Sequence, residues 1–273
     1  MRPAFFADLD GTTIFSARQV GLEERGFTGT TVVETFRGEP ASFMSFSAVT
    51  TLKRIADRCE FVPTTTRDFV QYARVGIPGI TPRFAIVANG GQIIVDGVQD
   101  EAWTEQVNAR IADLMSPAEV FDRVSRFAHD ASWLRTVKLA AGLFVYVVPN
   151  SGATPPPEFI DCVRSFAAEA GYQVSVQGRG KVYLIPNGVT KEAAANEVAT
   201  RVGSTFTIAA GDSATDIGMM RWADHAIRPA HGELQHVPGL SIPVTVRSGI
   251  LAGEDILTQV ERHIAYPGRP PRM

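Results

Sequence analysis

Cysteine is scarce in this chain: of 273 residues only Cys59 and Cys162 carry thiols. They lie far apart, in segments that read as helical, with no CxxC spacing. A disulfide framework and a cysteine-built metal site are therefore excluded, and two buried thiols in a reducing compartment are expected. Long hydrophobic runs are missing too. No stretch approaches the length of a membrane span, and the N-terminus enters a short apolar strand without the basic start and sustained apolar stretch of a signal peptide, so a cytoplasmic location with no membrane partner is expected. A dominant charge is also lacking, since 26 basic residues stand against 29 acidic ones for a net charge of -3. That balance offers no footprint for nucleic acid or an anionic lipid surface. His129, His225, His231, His236 and His263 show no ligand spacing tied to acidic partners, and ordinary surface or core roles are expected for them. Neither an internal repeat nor a low-complexity tract is visible. What remains is a chain 45% hydrophobic and 20% charged, ordinary for a globular fold, and long enough for a main domain carrying a smaller insert.

Short β-rich apolar runs alternate with helical periodicity, which predicts βαβ units and an α/β fold with a three-layer, Rossmann-like core around a mostly parallel sheet. The expected core strands are residues 4–7, 60–64, 84–88, 205–210, 225–227 and 243–246. Helices are expected near 47–58, 68–75, 191–202, 215–223 and 252–264. Between the third strand and Lys191 the pattern changes. Two helical stretches, 105–115 and 117–129, precede two strands turning at Ala141 and Gly142, then a helix after Pro157 and two further short strands. This reads as an inserted α+β domain with an antiparallel sheet. The expected division is 1–91 with 187–273 for the core and 92–186 for the insert. Residues 15–46 read as a small hairpin or flap, and equally as a surface embellishment. The Pro-rich, basic tail from 266 onward is expected to fray.

The segment PAFFADLDGTT delivers Asp8 and Asp10 from a buried strand into a Gly/Thr turn. Two carboxylates spaced by one residue at such a strand end are costly to desolvate unless something uses them, and a divalent cation with a phosphoryl group would. An exposed acidic turn is the plain alternative for this motif alone. Three more features follow in order: a Thr-rich strand end from Pro63 to Arg67, Lys191 opening a helix, and GDSATD at 211–216. In a sheet of this kind ligands bind beyond the carboxyl ends of the strands, where these residues fall. Asp10 faces the same way as Asp8 if the chain stays extended and could then serve as general acid and base. Asp212 and Asp216, four apart at a helix start, could hold Mg2+ with Asp8, or could simply cap the helix. Lys191 in isolation reads as a solvated first-turn lysine.

Taken together these motifs resemble the haloacid dehalogenase-like (HAD) phosphohydrolase superfamily, and within it the Cof-type, sugar-phosphatase-like branch. The resemblance runs from Asp8 to the last helix, with DLDGT and GDSATD its specific parts. It implies Asp8 as the nucleophile that forms an aspartyl-phosphate, Asp10 as general acid and base, and Lys191 as a catalytic charge-screening residue. It also implies Mg2+ held by Asp8, Asp212, Asp216 and the Asp10 backbone carbonyl. Thr65 resembles the phosphate-binding hydroxyl of the family, with Thr66 and Arg67 beside it, Thr66 standing where glycine is usual. Asn89 and Gly90 match an Asn-Gly turn that lies on the substrate side in related phosphatases, although a tight turn explains them without function. The insert corresponds to a cap domain, in which Arg179 could reach a substrate or be a solvated hairpin arginine.

Thr66 and Thr215 depart from the commonest form of the motifs and alter the phosphate side of the site, so the substrate of the commonest sugar phosphatases does not carry over. The implied activity is hydrolysis of a small phosphorylated metabolite, with a sugar phosphate expected. A phosphomutase or phosphotransferase would use the same intermediate, and a non-catalytic metal- or phosphate-binding regulator would keep the fold alone. The sequence carries no signal for an oligomeric state.

Overall fold

The computed structural model describes residues 2–20, 28–178 and 180–265. The first segment holds β1 (Ala4–Ala7), β2 (Phe15–Ser16) and α1 (Ala17–Val20). β3 (Thr30–Phe36), β4 (Glu39–Ser45), α2 (Phe46–Arg58), β5 (Glu60–Pro63) and α3 (Phe69–Tyr72) come next. A three-stranded run of β6 (Phe84–Val87), β7 (Gln92–Val95) and β8 (Val98–Gln99) leads to α4 (Glu101–Ile111) and α5 (Pro117–Phe127). Beyond them lie β9 (Leu134–Ala140), β10 (Phe144–Pro149), α6 (Pro157–Ala170), β11 (Tyr172–Gln177) and β12 (Lys181–Pro186). The chain closes with α7 (Lys191–Arg201), β13 (Thr207–Ala210), α8 (Ile217–Trp222), β14 (His225–Ile227) and α9 (Ile250–Ala265). The chain divides into two compact units, Met1–Asp100 with Lys191–Met273, and Glu101–Thr190.

In the first unit β1 is flanked by parallel partners on both sides, in the order β14-β13-β1-β5. Its four residues are all inaccessible to solvent, which is why the strand reads as an unbroken apolar run. Side chains alternate across it. Phe5 and Ala7 join the core formed with Leu52 and Ile55 of α2 and Ile256, Leu257 and Val260 of α9. Phe6 takes the other face, where its ring meets Trp222 of α8 edge-on at 5.6 Å. Helices thus cover both faces, and the expected three-layer α/β core is present. Ser45 locks two of these helices together: its hydroxyl accepts from Ala48 N at the start of α2 and donates to Glu254 of α9.

The register decides where the site can form. Ala7 lies opposite both Ala210 and Pro63, so β1, β5 and β13 end at one level and release Asp8, Thr64 and Gly211 side by side. Asp8 N–H still reaches the Ala210 carbonyl at 2.9 Å, and Thr64 N–H the Ala7 carbonyl at 2.8 Å.

Several expectations need correction. Residues 243–246 form no strand. Only an isolated bridge joins Arg228 to Val244, because Pro243 has no N–H to extend a ladder and Val246 is almost fully exposed. Residues 84–88 form β6 through Val87 only; one isolated parallel bridge joins its Ile86 to Thr64, just past the end of β5, while β6 pairs antiparallel with β7. The helix expected over 68–75 is one turn, capped by Asp68. Residues 92–100, assigned by sequence to the insert, belong to the first unit because β7 and β8 continue the β6 sheet. Residues 187–190 go with the second unit, where Asn187 N–H reaches the Gly171 carbonyl. Cys59 is buried as expected, but Cys162 is exposed on α6. Residues 15–46 include a three-stranded sheet in the order β2-β4-β3, whose hairpin turns at Arg37 and Gly38, both at positive φ. The tail from 266 lies outside the described residues.

The second unit is an antiparallel sheet in the order β11-β12-β10-β9, with α5 and α6 packed on one face. Val145 and Val147 of β10 and Val182 and Leu184 of β12 supply the apolar side of the sheet. The β9–β10 turn falls on Ala141 and Gly142, both at positive φ. α6 ends at Gly171, in the left-handed region at φ 80, where a Cβ would stand 2.6 Å from Leu114. No described helix is long and apolar enough to cross a membrane.

Candidate active site

Three carboxylates converge where the parallel strands end. Ligand oxygens of Asp8, Asp212 and Asp216 all lie within 4.8 Å of one another. Asp8 follows β1, Asp212 follows β13 and Gly211, and Asp216 closes the short 3-10 turn ahead of α8. Lys191 sits at the centre, 1% exposed, its Nζ donating to Asp8 Oδ1 and to Asp216 Oδ1 at 2.6 Å each. Residues 183 and 25 positions from Lys191 thus share one ammonium.

The loop geometry depends on two glycines. A Cβ on Gly211 would lie 2.3 Å from Asp216 Cβ, so only glycine lets the backbone pass this carboxylate. Gly11 adopts φ 81, and a Cβ there would come 2.6 Å from Asp212 Oδ2. The turn around Gly11 is held from several sides. Thr13 Oγ1 donates to the Asp8 carbonyl at 2.8 Å, and Gly11 N–H bonds the Ile14 carbonyl. His231 accepts from Gly249 N–H at Nδ1, which leaves its Nε2–H to donate to the Gly11 carbonyl at 2.8 Å.

Electrostatics set the demands of the cluster. Burial pushes Asp8 up, and neighbouring Asp216 adds to the shift while Lys191 opposes it. Asp212 is raised well above the usual carboxylate range by burial, then by the charges of Asp8 and Asp216. Burial alone would lower Lys191, but the two carboxylates outweigh it and hold the ammonium above its ordinary value. One lysine cannot balance three carboxylates.

The hydrogen-bond inventory tests whether a cation fits. Asp216 is already occupied: Oδ1 accepts from Lys191, and Oδ2 accepts from Ser213 N–H at 3.0 Å and Ser213 Oγ at 2.8 Å. The helix-capping reading of GDSATD is therefore realised by Ser213 and Asp216. Among the described residues no donor reaches the Asp212 carboxylate; only its backbone carbonyl is bonded, by Glu233 and Leu234 N–H. A half-buried carboxylate without a donor, beside buried Asp8 and facing an uncompensated negative charge, suits a hard divalent cation such as Mg2+.

Thr65 is fully buried at the neighbouring strand end, its Oγ1 accepting from Arg67 N–H at 3.1 Å. Thr66 follows it, half-buried. Asn89 N–H donates to the Thr65 carbonyl at 3.0 Å, and Asn89 takes the left-handed conformation at φ 57, so Asn89 and Gly90 form the tight turn that backs this loop. Arg179 lies outside the described residues.

Asp10 does not share Asp8's environment. Its side chain is 56% exposed and receives a two-pronged ion pair from Arg67, with Nε to Oδ2 and Nη2 to Oδ1 at 2.7 Å. The chain leaves its extended path after Asp8, where Thr12, Thr13 and Ile14 N–H all turn back to the Leu9 carbonyl. Arg67 is held in turn by Glu34 of β3, which Arg74 and Ser42 also reach. Sequence reasoning missed Glu34, Arg74 and His231. His231 carries no spacing signal at all, and a lone glutamate in TTVVETF reads as the solvent side of a strand.

The sequence matches no protein-family model and no curated protein. Solved structures do match over nearly the full chain. A sucrose-phosphatase from Synechocystis sp. PCC6803, in complex with sucrose and phosphate, aligns with TM-score 0.65 at 17% identity, covering 98% of this chain and all of that one. The chain has the HAD fold. A haloacid dehalogenase-like hydrolase from B. subtilis aligns with TM-score 0.59 at 15% identity, over 98% of this chain and all of its own. A HAD phosphatase from Bacteroides thetaiotaomicron aligns with TM-score 0.58 at 14% identity, over 97% and 96% of the two chains. Within the HAD fold of this chain, the carboxylate cluster occupies the ends of the central parallel strands.

Proposed function

We propose that this protein is a Mg2+-dependent phosphomonoester hydrolase acting through an aspartyl-phosphate on a small phosphorylated metabolite, with a sugar phosphate the favoured class. The observation that carries the reading is Lys191 held 2.6 Å from both Asp8 and Asp216, beside the donor-free carboxylate of Asp212. The substrate class is supported by the likeness to a sucrose-phosphatase that binds sucrose and phosphate.

In this reading the free oxygen of Asp8 attacks phosphorus, forming an Asp8 O–P bond as the bond to the leaving oxygen breaks. Asp10, in its protonated form, gives its proton to that leaving oxygen and becomes a carboxylate. Asp10 then takes a proton from an incoming water, whose oxygen bonds phosphorus as the Asp8 O–P bond breaks, releasing phosphate. Lys191 offsets the charge of Asp8 and of the phosphoryl oxygens, and the Thr65 hydroxyl donates to one of them. Asp8, Asp212 and the Asp10 carbonyl would hold Mg2+, with Asp216 reaching it through water, and the ion would neutralise the phosphoryl oxygens. The unit of residues 101–190 would act as the cap and read the leaving group.

The test is phosphate release across a panel of phosphometabolites and a generic aryl phosphate. Turnover should require Mg2+, stop in EDTA and be abolished by Asp8→Asn in a chain that remains folded. Undiminished turnover in EDTA, with metal content verified as negligible, would sink the reading.

A further inference from the structure

Glu34 belongs to the β3–β4 hairpin, not to any of the sequence motifs, yet it is 5% exposed and bonds three other side chains. Its orientation comes from an irregular ladder. Val32 pairs with Phe43 and Glu34 with Ser42, so Val33 is an extra residue on β3, and the next step places an extra residue on β4. The shift breaks the alternation of the strand and buries Val33 and Glu34 in succession, the re-aiming a bulge produces. Val33 enters the core of the first unit, and its carbonyl accepts from Gly76 N–H at 2.8 Å, which pins the hairpin beside Arg74.

Glu34 thereby holds Arg67 from behind. Nη2 of Arg67 is divided between Asp10 Oδ1 at 2.7 Å and Glu34 Oε2 at 3.0 Å, while Arg74 Nε meets Glu34 Oε1 at 3.0 Å. Burial alone would raise the Glu34 carboxyl, but hydrogen bonds from Arg67, Ser42 and Arg74 keep it below its ordinary value and ionised. Held by Glu34 behind and Asp10 in front, the Arg67 fork has one direction in which to present its two N–H groups to the Asp10 carboxylate.

We propose that Glu34 is a positioning residue for proton transfer: it fixes the Arg67 guanidinium, whose two-pronged contact sets the direction of the Asp10 carboxyl toward the leaving oxygen. This rests on the phosphatase reading above. It ties the hairpin to the proton transfers of Asp10 and not to the attack of Asp8 on phosphorus.

Leaving groups that need no proton separate that role from general support of the fold. 2,4-Dinitrophenyl phosphate releases 2,4-dinitrophenolate, a stable anion, whereas the alkoxide released from a simple alkyl phosphate needs the proton. Glu34→Gln should lower kcat/KM for the alkyl ester by about 10-fold or more, a fraction of the whole acid-base contribution. The dinitrophenyl ester should change by less than about 3-fold. In an Asp10→Asn background, Glu34→Gln should cost nothing further with the alkyl ester, because the two substitutions remove one function. If Glu34→Gln does not fold, Arg74→Gln removes one anchor of Glu34 and should show the same selective loss at smaller size. Equal losses on both esters, or losses that multiply in the double variant, would overturn the inference while leaving the phosphatase reading intact. A wild-type protein that turns over neither ester overturns both.

Discussion

A lysine at the first position of a helix is ordinarily solvated, because the helix N-terminus already carries partial positive charge. Lys191 is nevertheless buried, and its two carboxylate partners are the reason. Removing it takes the ammonium donor away from the buried carboxyls of Asp8 and Asp216. Lys191→Met should therefore cost about 3–5 kcal/mol in urea unfolding, the usual penalty for orphaning a buried charge, and should also abolish phosphate release. Far from this cluster, His263 stacks on His225 with centroids 4.1 Å apart and planes at 23°. Burial lowers His263 below its reference value of 6.5, and the neighbouring His225 lowers it further. The unfolded chain thus takes up a proton first as the pH falls. Stability from this ring is full above about 6.5 and declines as the pH drops toward the lower folded value. The difference in thermal stability between the parent and His263→Gln should shift against the parent as the pH falls from 7.5 to 5, and a difference that does not change with pH would remove the ring from the balance.

At the level of elements, local pattern and long-range pairing were unequally legible. The core strands at 4–7, 60–63 and 207–210 stand out because strands buried on both faces are apolar throughout, and the β9–β10 turn because Ala141-Gly142 interrupts two β-rich runs. The carboxylate cluster was legible for the same reason, since its members sit at the ends of those strands. PVTV misled because its β-branched residues fit a strand, while Pro243 and the missing partner beyond β14 deny it one. Asp10 and Glu34 were illegible in orientation: a reverse turn in one case and a ladder irregularity in the other override the alternation that sequence shows. α2 offers a direct test of the layered core. Leu52 is wholly buried against the sheet, and Leu52→Ala should destabilise by about 2–5 kcal/mol in urea unfolding, with no change in KM for the aryl phosphate.

At the scale of the whole molecule, a cation should act on stability as well as on turnover. Three carboxylates and one ammonium repel one another on balance, and a ligand that binds only the folded chain raises its stability by mass action. The unfolding temperature of the full chain should rise with Mg2+ concentration, saturate, and lose this response in Asp212→Asn; an identical response in that variant would place the ion elsewhere. The sheet order has a further consequence, which concerns biosynthesis. β1 is the central strand, yet its partner β13 lies roughly 200 residues later, which at typical elongation rates of about 5–20 residues per second is a delay of about 10–40 s. Through that interval the first strand of the nascent chain has β5 on one side and an open, wholly apolar edge on the other, so the ribosome-bound chain is the form most exposed to misassembly and most in need of a chaperone.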